Sequence, residues 1–299
     1  MNGHLQNYFK VGIVNFMAFP APYPVVDATN NIASDPFFSA IEVTHVAPEE
    51  LPKVRDIIAC SHLVAGYGAQ PVQLGKKLDL NSLDEAKRSA AVAEIKACVD
   101  EAYALGCARL AVLSGPDPSP AQRAEATDAL VRSLNEICAY AAQKGTLGIT
   151  LEVFDRDIDK KALIGTTVDA VAVSRSVRER HPSFGLMVDL SHLPLQHESA
   201  REALVAAKDQ LVHIHIGNCS LEQGHYAYGD LHPRFGIPGG ENDVPQVREF
   251  LSVLLEIGYI GEGKQNIVAF EVKPLTPEES PELVIANAKR TLQEAWAGV

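Results

Sequence analysis

The chain has 299 residues, 46% of them hydrophobic and 21% charged, with 38 acidic against 26 basic side chains and a formal net charge of −12. That is a soluble globular composition with room for a large core, and its acidic surplus excludes a phosphate-tracking nucleic-acid surface. No run approaches the ~18 apolar residues of a membrane span, no signal peptide opens the chain, and five cysteines without a C-x-x-C pair read as reduced core thiols in a cytoplasm.

Strand-like apolar runs alternate with helical segments. The first strand is predicted over 11–19, followed by a short helix near 29–38. Strands follow over 40–46 and 62–67. A helix over 83–105, capped by Ser82 or Asn81, stops at Gly106. A fourth strand covers 109–115, and a helix over 120–143 ends at Gly145. Strands over 148–152, 185–189 and 212–215 come next. A helix over 243–257 stops at Gly258, an eighth strand covers 267–271, and a helix over 280–296 takes Pro281 in its first turn. Such alternation gives a parallel sheet with helical cover. Eight units in this length predict an α/β fold of the (β/α)8 TIM-barrel type, one domain over 1–299. The rival dinucleotide fold needs G-x-G-x-x-G after the first strand, and 11–14 has none.

The last four strands each close on a polar tip: Glu152, Asp189, His215 and Glu271. An apolar run ending in a carboxylate or imidazole is costly to bury unless the tip has a partner. Active sites of such barrels lie at the C-terminal strand ends, where these four tips fall. Carboxylates crowded there without a cation would repel, and some would stay protonated. Oxygen ligands plus one imidazole suit Mn²⁺, Mg²⁺ or Co²⁺, and Zn²⁺ stays open. The competing readings are a salt-bridged strand end for Glu152, a helix cap for Asp189 and an ion pair of Glu271 with Lys273. His213 and His215 share one strand face, which assigns His213 to the substrate side. The long loop over 218–243 holds Asp230 and His232, spaced for a second metal or for sugar hydroxyls, and Arg234, which suits a carboxylate, phosphate or ketone oxygen.

The set Glu152, Asp189-x-x-His192, His213-x-His215, Asp230-x-His232 and Glu271 resembles the xylose-isomerase-like TIM barrels, specifically the sugar phosphate isomerase/epimerase family with its ketose 3-epimerases. The resemblance implies one divalent metal, manganese first, on Glu152, Asp189, His215 and Glu271. It implies that the two glutamates exchange the substrate proton on opposite faces and that His192 binds the sugar. Those enzymes carry a Glu two residues after the second His and an Arg further on. Here Gly217 and Leu221 stand in those places, leaving Arg234 or Lys273 to take over. The expected reaction is proton abstraction α to a ketose carbonyl through an enediolate. The alternative is β-elimination from a 3-keto-glycoside by a lyase. A DNA-repair nuclease of the same superfamily is disfavoured by the acidic charge and by the lack of a histidine ending the fourth strand, and a non-catalytic subunit by the intact ligand set. The implied partner is a small sugar. By analogy such barrels often assemble as dimers or tetramers.

Overall fold

Residues 148–152 and 185–189 are buried at every position, as strands covered on both faces must be. The computed structural model describes residues 4–299. Its strands are β1 (Lys10–Ile13), β2 (Ala40–Val43), β3 (Val64–Gly68), β4 (Arg109–Val112), β5 (Gly148–Glu152), β6 (Gly185–Asp189), β7 (Leu211–Gly217) and β8 (Ile267–Glu271). They form one parallel sheet of order β1-β8-β7-β6-β5-β4-β3-β2. The two ends of that order meet, because Val14 bridges Glu42 in parallel and the Ser39 N–H donates to the Val11 carbonyl at 2.8 Å. The predicted (β/α)8 barrel is therefore what forms.

The helices are α1 (Asn15–Ala18), α2 (Val25–Ala33), α3 (Leu51–Ser61), α4 (Gln70–Lys76), α5 (Glu85–Ala104), α6 (Arg123–Ala142), α7 (Thr167–Arg178), α8 (Leu193–Gln196), α9 (Ala200–Ala207), α10 (Val244–Glu256) and α11 (Pro281–Ala297). The long helices fall where their period places them, and the Ser280 side chain caps α11 by accepting from the Leu283 N–H. The cap of α5 is Asp84, not Ser82 or Asn81. Its carboxylate accepts from the Ala86 and Lys87 N–H groups, whereas the Asn81 amide donates to the Pro116 carbonyl at 3.0 Å.

Several boundaries differ from expectation for local reasons. The apolar run over 11–19 leaves the sheet after Ile13 and continues as α1, whose Ala18 is buried; the run encodes burial, not extension. The helix expected near 29–38 lies earlier, over Val25–Ala33, since Asp35 turns its side chain to accept from the Phe37 N–H. His62, left-handed at φ 61°, closes α3 and delays β3 to Val64. β4 stops at Val112 because the Gln73 amide occupies the next residue, accepting from the Leu113 N–H and donating to its carbonyl. Cys98, Cys107, Cys138 and Cys219 are buried free thiols, but Cys60 is exposed. Among the described residues no helix is long and apolar enough to cross a membrane.

Candidate active site

The C-terminal ends of β5, β6, β7 and β8 bring one ligand atom each from Glu152, Asp189, His215 and Glu271 within 4.8 Å of one another. His215 Nδ1 lies 2.6 Å from Glu271 Oε2, 3.7 Å from Glu152 Oε1 and 4.0 Å from Asp189 Oδ2. Two of the carboxylates are oriented by their outer oxygens. The Gln70 amide donates to Glu152 Oε2 at 2.6 Å, and the Ser191 N–H donates to Asp189 Oδ1 at 2.7 Å. Asp189 thus caps its turn with one oxygen and offers the other. The inward oxygens, Glu152 Oε1 and Asp189 Oδ2, are buried without any hydrogen-bond partner. A native fold rarely leaves such atoms unsatisfied. Two oxygens aimed at one imidazole nitrogen, with a third carboxylate beside them, fit a divalent cation of the oxygen-preferring kind.

Protons stand where that cation would sit. Burial pushes the Glu152 carboxyl up to about 8, with Glu271 adding to the shift and His192 opposing it. Burial works against charge on His215, yet Glu42 and Glu271 hold its pKa well above 6.5. A cation must displace a proton from each. Divalent-ion affinity is therefore expected to rise with pH, by at least about tenfold per unit below pH 8, where Glu152 still holds its proton. Calorimetric titration with Mn²⁺ from pH 6 to pH 9 checks the rise. A flat profile would place the cation elsewhere.

Glu42, near the end of β2, carries no local signal of its role. Its Oε1 lies 2.8 Å from His213 Nε2, and its two oxygens lie 2.9 and 3.0 Å from His215 Nε2. Holding Nε2 as a donor leaves Nδ1 facing the carboxylates, the orienting job that outer partners perform for metal-binding imidazoles. Gly66 makes room for it, because a Cβ there would stand 3.1 Å from Glu42 Cγ. Glu42→Gln is expected to weaken divalent-ion affinity by about 10–100-fold with the fold intact. Competition with a fluorescent chelator measures the change, and an unchanged affinity would reduce Glu42 to packing.

Asp230 and His232 reach the same centre from the loop after β7. His232, left-handed at φ 54°, sets its Nε2 2.8 Å from Asp230 Oδ1 and 3.5 Å from Glu271 Oε1. Burial lowers the His232 pKa, but Asp230 and Glu271 lift it to about 9. Gly217 permits this approach. A Cβ there would meet the Glu271 carbonyl oxygen at 2.5 Å and His232 Nδ1 at 3.2 Å, so the glutamate that the resembled enzymes carry has no room. His192 Nδ1 pairs with the Val153 carbonyl at 2.9 Å, and its Nε2 lies 3.1 Å from Asp230 Oδ1.

A cavity of about 280 Å³ opens over the cluster, lined by Glu152, His215, Asp230, His232 and Glu271 together with Phe16, Met17, Leu74, Phe154 and Lys160. Other expected substrate contacts are not among its lining. His213 sits one layer deeper, on Glu42. The Arg234 guanidinium turns to Glu279 at 2.9 Å, and Lys273 holds the His232 carbonyl through its backbone N–H at 2.7 Å. His192 is fully buried behind Asp230. The cation that does line the cavity is Lys160, whose Nζ lies 2.7 Å from Asp159 Oδ2 and 2.8 Å from Asp230 Oδ2. Its loop is tied by Asp155, which accepts from the N–H groups of Ile158, Asp159 and Lys160. A larger cavity, about 380 Å³, sits where the strands begin and reaches Glu42 and His213. It lies at the opposite mouth from the convergent cluster, and barrel chemistry belongs to the C-terminal mouth.

The profile of the Xylose isomerase-like TIM barrel family matches residues 38–293, and the chain belongs to that family. It is 28% identical over 201 residues to an L-ribulose 3-epimerase of Methylomonas sp. (strain DH-1), an alignment covering 65% of this chain and 66% of that enzyme. Among solved structures, a D-tagatose 3-epimerase-like protein superposes with a TM-score of 0.72 at 17% identity, covering 97% of this chain and 99% of that one. A 3-keto-D-glucoside 4-epimerase from E. coli superposes with a TM-score of 0.69 at 18% identity, covering 95% and 99%.

Proposed function

We propose that the protein is a divalent-metal-dependent sugar epimerase or isomerase, acting on a ketose-like substrate by moving a proton α to its carbonyl. The observation that carries this is the convergence of Glu152, Asp189, His215 and Glu271, with two buried inward oxygens lacking partners. The similarity to an L-ribulose 3-epimerase supports it. A bound cation supplies Lewis acidity toward a carbonyl and its neighbouring hydroxyl.

The chain's own residues do the rest. Glu152 and Glu271 are the two carboxylates of the centre that also line the cavity; one removes the α-proton and the other, as a carboxylic acid, delivers its own proton to the opposite face. Gln70, hydrogen-bonded to the outer oxygen of Glu152, holds that carboxylate in place. Asp230, His232 and Lys160 supply acceptors and donors for hydroxyls. Phe16, Met17 and Phe154 line the same cavity and help to exclude water. The experiment is NMR of the product mixture from ketoses and 3-keto-glycosides in D2O. An isomer of equal mass, deuterated α to the carbonyl, is the expected result. An enone or a released aglycone would instead assign β-elimination, the second reading.

A further inference from the structure

The cavity over the carboxylate cluster has a neighbour at Leu74 and Lys160. Both residues also line a second chamber of about 240 Å³. The two chambers differ in chemistry. Glu42, Glu152, Asp230 and Glu271 all line the first. Among the described residues no carboxylate lines the second, where Leu74, Leu78, Leu113, Pro116 and Ala162 stand beside polar groups that are largely engaged: the Gln73 amide pairs with the Leu113 backbone, and Ser114 Oγ accepts from the Ile164 N–H. Neither chamber alone reaches the roughly 300 Å³ at which small-molecule sites begin, and the two together pass it.

A polyol ring needs a hydrogen-bonding partner for nearly every hydroxyl, because burying a bare hydroxyl is costly. The first chamber, with four carboxylates and two imidazoles, meets that need better than the second. An apolar group gains by leaving water for a wall of aliphatic side chains, in proportion to the area it buries. We propose that the site takes a two-part substrate, a keto-sugar ring over the carboxylate cluster joined to an apolar aglycone seated in the second chamber, with Leu74 and Lys160 at the joint. This rests on the reading of the first chamber as the sugar site. Lys160 marks the boundary because its ammonium pairs with Asp230, which lines the first chamber and not the second. A free ketose fills one chamber and leaves the other to water.

The test compares phenyl and methyl 3-keto-β-D-glucosides, with D-fructose as the one-part control, binding to the metal-loaded full chain by calorimetry. The phenyl glycoside is expected to bind at least tenfold tighter than the methyl glycoside. Leu78→Trp, which fills only the second chamber, is expected to abolish that preference while leaving D-fructose affinity within about twofold. Leu74→Trp, at a position 45% exposed, gives a second blocked variant should the first not fold, with the same expected loss of preference. Equal affinities for the two glycosides in the unmodified protein, or a preference untouched by either variant, overturn the proposal. A phenyl preference that persists in a protein which isomerises none of the sugars keeps the chamber assignment and sinks the epimerase reading, so the two failures are separable.

Discussion

Glu271→Ala is expected to strip the protein of its divalent cation. Purified without added metal or chelator, the unmodified chain should carry about one Mn, Co, Mg or Zn ion as read by mass spectrometry, and the variant almost none. The effect should exceed the roughly 10–100-fold loss that follows from disturbing an outer partner, because Glu271 provides one of the four convergent atoms. Its removal also frees His215 Nδ1 from the hydrogen bond at 2.6 Å, so the imidazole loses its orientation on that side. The fold should survive. Glu271 ends β8 and is the least buried of the four, and its loss relieves carboxylate crowding with Glu152. A cation retained at full occupancy in the variant would remove Glu271 from the ligand set. A parent protein that takes up no ion on titration would undo the shared premise of both the epimerase and the lyase readings.

The strand tips were legible in the sequence because they share a local grammar, an apolar run closed by a polar residue. β5, β6 and β8 span the predicted residues, and their terminal Glu152, Asp189 and Glu271 do meet His215. The barrel was legible for the same reason, since alternation is a local pattern repeated along the chain. Glu42 was not legible. It reaches His215 across 173 residues of chain, and nothing in Ala40–Val43 distinguishes a carboxylate facing the barrel interior from one facing its helical cover. Lys160 lies in a charged stretch that reads as a solvated loop, and only its fold-back onto Asp230 makes it a cavity residue. The grip of Gln70 on Glu152 depends on α4, a seven-residue helix too short to announce itself. Conversely, Arg234 had the right charge in the right loop and is engaged by Glu279, a partner 45 residues away.

Glu152→Gln is expected to lower turnover by at least about 10²–10⁴-fold, the contribution of one positioned proton carrier. The change keeps the side chain's size and takes away its negative charge together with its capacity to accept and release a proton. The buried position already favours the neutral form, since burial raises the pKa of this carboxyl. An uncharged amide there should therefore leave the fold and its thermal midpoint close to those of the parent. Gln70 remains able to hydrogen-bond the outer oxygen position. If Glu152 carries the proton, kcat falls while KM for the ketose moves little, and deuterium from D2O no longer enters the α carbon on one face. If its contribution were only to hold the cation, excess Mn²⁺ would restore turnover. Glu271→Gln offers the mirror experiment: two carriers on opposite faces predict that each variant blocks exchange on a different face. Exchange that survives in both variants would move the proton transfer to the Asp230–His232 pair, 2.8 Å apart beside the same cavity.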